Sequence, residues 1–96
     1  LSSQLGASTW PFGGMYIYST TKAAVGKAAK ILSIDWKDDP IIVSVMHPGY
    51  VQTDMGGPNA EITPEDSASG IRNVIGNLSS EDSGNFYKWN GDIHPW

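Results

Sequence analysis

Tyr18 and Lys22 stand four residues apart in "MYIYSTTKAAVGKAAKIL", Met15 to Leu32, a run otherwise dominated by small and apolar residues. On a helix, residues at that spacing share one face, so a phenol and an ammonium would be neighbours. A phenol with a pKa near 10 is a poor acid or base at neutral pH, and lowering it by about 3 units takes roughly 4 kcal/mol. An ammonium about 4 Å away supplies energy of that order at an effective dielectric near 20. The pair is therefore a candidate proton donor with its own tuning charge, and a second cation would strengthen it. The ordinary reading is two solvent-exposed polar residues. In a chain with four Tyr, a Tyr-x-x-x-Lys arises easily by chance, so the spacing alone is weak.

Two other stretches could converge on that pair. Ser2 and Ser3 precede a Gly, where the end of a strand would deliver a hydroxyl to the carboxyl edge of a sheet, the edge at which open α/β sheets bind ligands. "HPGYVQTDM", His47 to Met55, follows an apolar run and would bring Pro48, Gly49, Val51 and Thr53 to the same edge. Gly49 would let the backbone approach a ligand closely, and Thr53 offers a hydroxyl. Each has a plainer reading: Ser3 as a loop cap, Pro48–Gly49 as a turn, Thr53 as a solvent hydroxyl.

The elements that must position these residues follow from periodicity and turn chemistry. Residues 6–14, rich in Gly, read as a loop. Ile17, Ala24, Val25, Ala28, Ile31 and Leu32 recur at three- and four-residue steps and predict a helix over about 15–36, which "KDDP" ends. "IIVSVM", Ile41 to Met46, is a run without polar alternation that suits a strand buried on both faces of a parallel sheet. Residues 47–62 form a long loop, and its "MGGPNAEI" portion, Met55 to Ile62, suggests a lid. Thr63 as N-cap, Pro64 at the first helical position and the acidic Glu65 and Asp66 start a second helix, over about 63–78, with Ala68, Ile71, Ile75 and Leu78 as its buried stripe. "GNFYKW", Gly84 to Trp89, is a last strand before an Asn90–Gly91 turn. With the strand tail at Leu1–Ser3, the order is β-α-β-α-β with three parallel strands, half of a doubly wound α/β fold.

Composition removes other classes. Ninety-six residues make one small domain, and a net charge of −4 argues against a protein that tracks nucleic-acid phosphates. No apolar run is long enough to span a bilayer as a helix. Without cysteine there are no disulfides or thiolate metal sites. His47 and His94 have no partner His at ligand spacing, so no metal is expected. The opening "LSSQLG" has neither an initiator Met nor a signal-peptide pattern, and is expected to enter the middle of a longer protein.

"SSQLG", then "YSTTK", then the apolar run and "HPGYVQTDM", in that order, resemble the C-terminal half of a short-chain dehydrogenase/reductase. The ending "GNFYKWNGDIHPW" is similar to the carbonyl-reductase-like branch of that family. The resemblance implies the catalytic C-terminal half of a Rossmann-type domain over residues 1–96, with NADP or NAD as cofactor, NADP being favoured. It implies Tyr18 as the general acid that protonates a carbonyl oxygen, Lys22 as the residue that lowers its pKa and holds the nicotinamide ribose, and Ser3, ahead of Ser2, as the hydroxyl on the substrate oxygen. Pro48, Gly49, the Val51 backbone and Thr53 would touch the nicotinamide carboxamide. A small carbonyl substrate, a cytoplasmic location and a homo-oligomer, with neither nucleic acid nor membrane as partner, are implied too. Ser3 lies somewhat further before Tyr18 than is common in the family, which suggests an expanded 6–14 loop. The chain departs from the family in having no Gly-rich phosphate turn, no ribose-reading residue after it and no Asn-rich segment; the half that binds the dinucleotide is absent. A non-catalytic nucleotide-sensing or scaffold protein of the same fold is the main alternative. A sugar-nucleotide epimerase is a second, disfavoured because "HPGYVQTDM" follows Tyr18 so closely.

Overall fold

The computed structural model describes all residues from Leu1 to Trp96. In chain order they form a 3₁₀ turn (Gln4–Gly6), α1 (Tyr16–Asp35), β1 (Val45–His47), α2 (Pro64–Asn77), a second 3₁₀ turn (Ser80–Asp82) and β2 (Phe86–Lys88). β1 and β2 pair in parallel, with Val45 opposite Phe86, Met46 opposite Tyr87 and His47 opposite Lys88. Parallel neighbours need a crossover, and α2 provides it.

Strand side chains alternate between the two faces of the sheet, and each face looks towards one helix. Val45 and Phe86 form the core with Ala7, and Ala29 of α1 packs against them. Ile42, Ser44 and Met46 line the opposite face, where a groove of about 400 Å³ separates them from Ile71, Ile75 and Leu78 of α2. One helix on each face of a parallel sheet is the doubly wound arrangement expected from the sequence.

Both helices start and stop within a residue or so of the expected positions, for different reasons. α2 has a full set of start signals: Thr63 Oγ1 accepts the Asp66 N–H at 3.1 Å, with Pro64, Glu65 and Asp66 in the first turn. α1 has no side-chain cap and begins after Met15, which sits at φ 49° in the left-handed region. Its many alanines carry the helix instead.

The strands differ from expectation. Leu1–Ser3 makes one ladder bond, Ser2 N–H to the Met46 carbonyl at 2.8 Å, before the backbone turns into the first 3₁₀ segment, so the sheet has two strands rather than three. The apolar run 41–46 is not buried throughout: Ile41 and Ile42 are 45% and 42% exposed, and the strand is Val45–His47. Only that stretch has β2 on one side and Ser2 on the other. The final strand is Phe86–Lys88 rather than Gly84–Trp89, and at its start Gly84 lies at φ 88°, outside the extended region.

The helix stripes also differ. Ile17, Ala24, Val25, Ala28, Ile31 and Leu32 are all exposed, while the buried α1 residues are Gly26 and Ser33. A Cβ on Gly26 would come within 3.1 Å of the Trp96 ring, so a small residue is what lets the C-terminal tail lie on this helix. On α2 the buried residue is Ser67; Ala68 and Ile75 are exposed, and Ile71 and Leu78 are half-buried. That stripe faces the groove, which the chain itself leaves open.

Candidate active site

Two attachments bring the start of the chain onto the second turn of α1. A Cβ on Gly6 would lie 2.7 Å from the Ala23 nitrogen and 2.9 Å from the Lys22 Cβ, so only glycine allows the 3₁₀ turn this close to the helix. The Ser2 hydroxyl donates to the Lys22 carbonyl at 3.0 Å. Ser2 and Ser3 are both buried, yet they differ in orientation: Ser3 lines a cleft and Ser2 does not. Ser3 Oγ caps the 3₁₀ turn by accepting the Leu5 N–H at 3.2 Å, which leaves the hydroxyl proton free to donate. It is thus both a loop cap and a hydroxyl aimed into the cleft.

Tyr18 is half-buried and lines the same cleft. The Lys22 ammonium lies over its ring, 5.6 Å from the centroid, as the helical spacing requires. Lys22 stands behind the tyrosine rather than in the cleft wall.

The loop after β1 supplies the opposite wall. Gly49 adopts φ 91°, and a Cβ there would sit 2.6 Å from Ile62 Cδ1 and 2.9 Å from Trp89 Cδ1. The glycine is therefore required by packing against the protein itself, a reason the sequence did not disclose. The Pro48 carbonyl accepts the Ser67 hydroxyl of α2 at 2.6 Å. Val51 bridges to Ile62 through bonds made by its neighbours, Gln52 N–H to the Ile62 carbonyl and Ile62 N–H to the Tyr50 carbonyl. The Val51 N–H is left without a partner in the chain. Thr53 is exposed, and its Oγ1 accepts the Gly56 N–H at 3.3 Å. In the segment expected to act as a lid, Met55 is 73% exposed, whereas Ala60 is buried and its carbonyl is held by Gln52 Nε2 at 3.0 Å.

One cleft of about 590 Å³ thus gathers Ser3, Tyr18, Pro48, Gly49, Val51 and Thr53, leaving out only Ser2 and Lys22 of the candidates singled out in the sequence. A nicotinamide fits this donor set at one end only. The unpartnered Val51 N–H and the Thr53 hydroxyl are the right kinds of group for its carboxamide, and no glycine-rich strand-to-helix turn is present for the phosphates.

His47 is the residue that sequence reasoning missed. It lines the cleft, is buried, and its Nδ1 accepts the Gln4 N–H at 3.3 Å. Burial lowers its pKa to about 4, with help from the positive charges of His94 and Lys88. The His47 and His94 rings lie 6.4 Å apart, although 46 residues separate them in sequence, so ligand spacing could not reveal the pairing. No group of three or more metal-ligating side chains comes together.

The short-chain dehydrogenase family model matches residues 1–63, and the chain belongs to that family. It is 42% identical over 84 residues to C-signal of Myxococcus xanthus, an overlap covering 88% of this chain and 51% of that protein. Its fold is similar to that of the carbonyl reductase Sniffer of D. melanogaster, with a TM-score of 0.95 and 37% identity over the whole of this chain and 39% of that one. The NADPH-bound carbonyl reductase from chicken fatty liver gives a TM-score of 0.87 at 33% identity, covering 99% of this chain and 40% of that one. The chain therefore spans about half of the length of C-signal and about two fifths of the two reductases.

Proposed function

We propose that residues 1–96 are the catalytic C-terminal half of an NADP(H)-dependent carbonyl reductase, whose dinucleotide-binding half lies outside this sequence. The observation that carries this reading is the convergence of Ser3 and Tyr18 on one cleft edge, opposite the Pro48–Thr53 loop. NADP is preferred to NAD because the chicken reductase, similar over nearly all of this chain, is NADPH-bound.

The Val51 N–H and the Thr53 hydroxyl would hold a nicotinamide, which when bound would supply the hydride. Ser3 donates its free proton as a hydrogen bond to the substrate carbonyl oxygen and fixes its position. Tyr18 gives its phenolic proton to that oxygen as the carbon is reduced, and the phenolate is reprotonated from solvent. The Lys22 ammonium, over the face of the Tyr18 ring, would meet the nicotinamide ribose. A location in the cytoplasm and a homo-oligomeric whole enzyme are part of the same reading; no helix is long and apolar enough to cross a membrane.

The test is NADPH consumption by the whole enzyme against a panel of aliphatic and aromatic aldehydes and ketones. Turnover of at least one carbonyl is expected. NADPH binding with no turnover of any would favour the non-catalytic reading instead.

A further inference from the structure

The start of the chain runs alongside β1 as a parallel strand would, but for one bond only. Ser2 N–H reaches the Met46 carbonyl at 2.8 Å. In a parallel ladder the next N–H on that side, two residues on, belongs to Gln4 and would seek the carbonyl of residue 48. That carbonyl accepts the Ser67 hydroxyl at 2.6 Å instead, and no bond from Gln4 reaches it. The Gln4 N–H turns to the imidazole of His47, whose Nδ1 accepts it at 3.3 Å. The bond holds the peptide linking Ser3 to Gln4, immediately after the serine whose hydroxyl enters the cleft.

We propose that His47 is a positioning residue for Ser3: its ring nitrogen stands in for the missing ladder carbonyl and fixes the Ser3–Gln4 peptide, and with it the direction of the Ser3 hydroxyl. The proposal rests on the role given to Ser3 above. Nδ1 accepts only when it carries no proton, so the ring must be neutral with its proton on Nε2. The surroundings favour that state. Lys88 of β2 and His94 of the C-terminal segment both oppose a charge on His47. From α1 and the loop, Tyr18 and Tyr50 line the same cleft, and the first 3₁₀ turn and the adjoining part of α2 bring no titratable side chain to it. Protonation would remove the acceptor, release Gln4 and turn Ser3 out of register.

Two substitutions in the whole enzyme separate positioning from bulk packing. Asn places an amide oxygen near the position of Nδ1 and does not titrate, whereas Leu fills space without an acceptor. His47→Leu is expected to lower kcat/KM by about 10-fold at neutral pH, the scale of one lost hydrogen bond. His47→Asn should stay within about 3-fold of wild type and lack the fall in kcat/KM expected of the wild type as pH drops towards about 4. Wild-type kcat/KM in His47→Leu, or an unchanged acid limb in His47→Asn, overturns the proposal. Should His47→Leu fail to fold, the Gln4 amide resonance of the wild type decides: it should shift with the His47 ring titration, and an unmoved Gln4 amide overturns the proposal. That resonance does not depend on turnover, so it still reads the His47 contact if Tyr18→Phe shows the proton-donor role to be wrong.

Discussion

The Ser2 hydroxyl donates to the backbone carbonyl of Lys22 at 3.0 Å, across 20 residues of sequence. Ser3 follows Ser2, and Tyr18 lies one turn before Lys22, so this bond and the close approach at Gly6 register the two candidate reacting side chains against each other. Neighbouring serines thus have separate tasks. Ser2→Ala should cost about 0.5–1.5 kcal/mol of stability, seen in denaturant unfolding. Ser3→Ala also loses a hydrogen bond, the cap on the Leu5 N–H, so a similar stability loss is expected, but it should lose activity as well. Wild-type activity in Ser3→Ala, or an equal loss of activity in Ser2→Ala, would contradict that division.

Gly49 is predicted to tolerate no side chain. Gly49→Ala adds a methyl group within 3 Å of both Ile62 and Trp89, at a backbone φ of 91°. A loss of about 1–3 kcal/mol is expected from strain and overpacking together. Gly13→Ala is the control, since a Cβ there meets nothing within 4 Å. Thermal unfolding of the two variants compares them directly, and similar melting temperatures would count against the packing described for Gly49.

Stability should fall in two separate pH windows. His47 has a folded pKa of about 4 against an ordinary 6.5, so the unfolded chain takes up its proton first. Its contribution is complete above pH 6.5 and is lost as pH falls towards about 4. Asp82 is held below its ordinary 3.8 by the Ser79 backbone N–H and hydroxyl, with Tyr87 assisting, and its contribution is lost as pH falls through that lower range. Unfolding measured across pH should show the upper window disappear in His47→Asn and the lower one persist.

The helices were legible in the sequence because their signals are local. Thr63, Pro64, Glu65 and Asp66 specify the start of α2 whatever lies around it, and the Tyr18–Lys22 relation follows from helical spacing alone. The strands were less so, because a strand is made by its neighbours: Ile41 and Ile42 read as buried but are exposed and pair with no strand. The site was legible as motifs and not as contacts. Nothing local in "HPGY" indicates that His47 would reach back 43 residues to the Gln4 amide, or that Gly49 is needed by Trp89.

These 96 residues alone should bind dinucleotide poorly and should self-associate. Tyr18, Lys22 and Thr53 can meet only the nicotinamide end, and the amides that would cradle a pyrophosphate are not in this sequence. The groove between Met46 and Ile75 lies open, as does the α1 face carrying Ala24, Ala28 and Ile31. NADPH titration with light scattering on the isolated chain checks both statements; micromolar binding by a monodisperse monomer would refute them.

The most direct test is Tyr18→Phe in the whole enzyme, which removes the phenolic oxygen and leaves the ring beneath Lys22. Turnover at saturating NADPH and carbonyl should fall by at least about 100-fold, the usual scale for a lost general acid, with NADPH affinity little changed. Wild-type turnover in that variant would show that Tyr18 is not the proton donor.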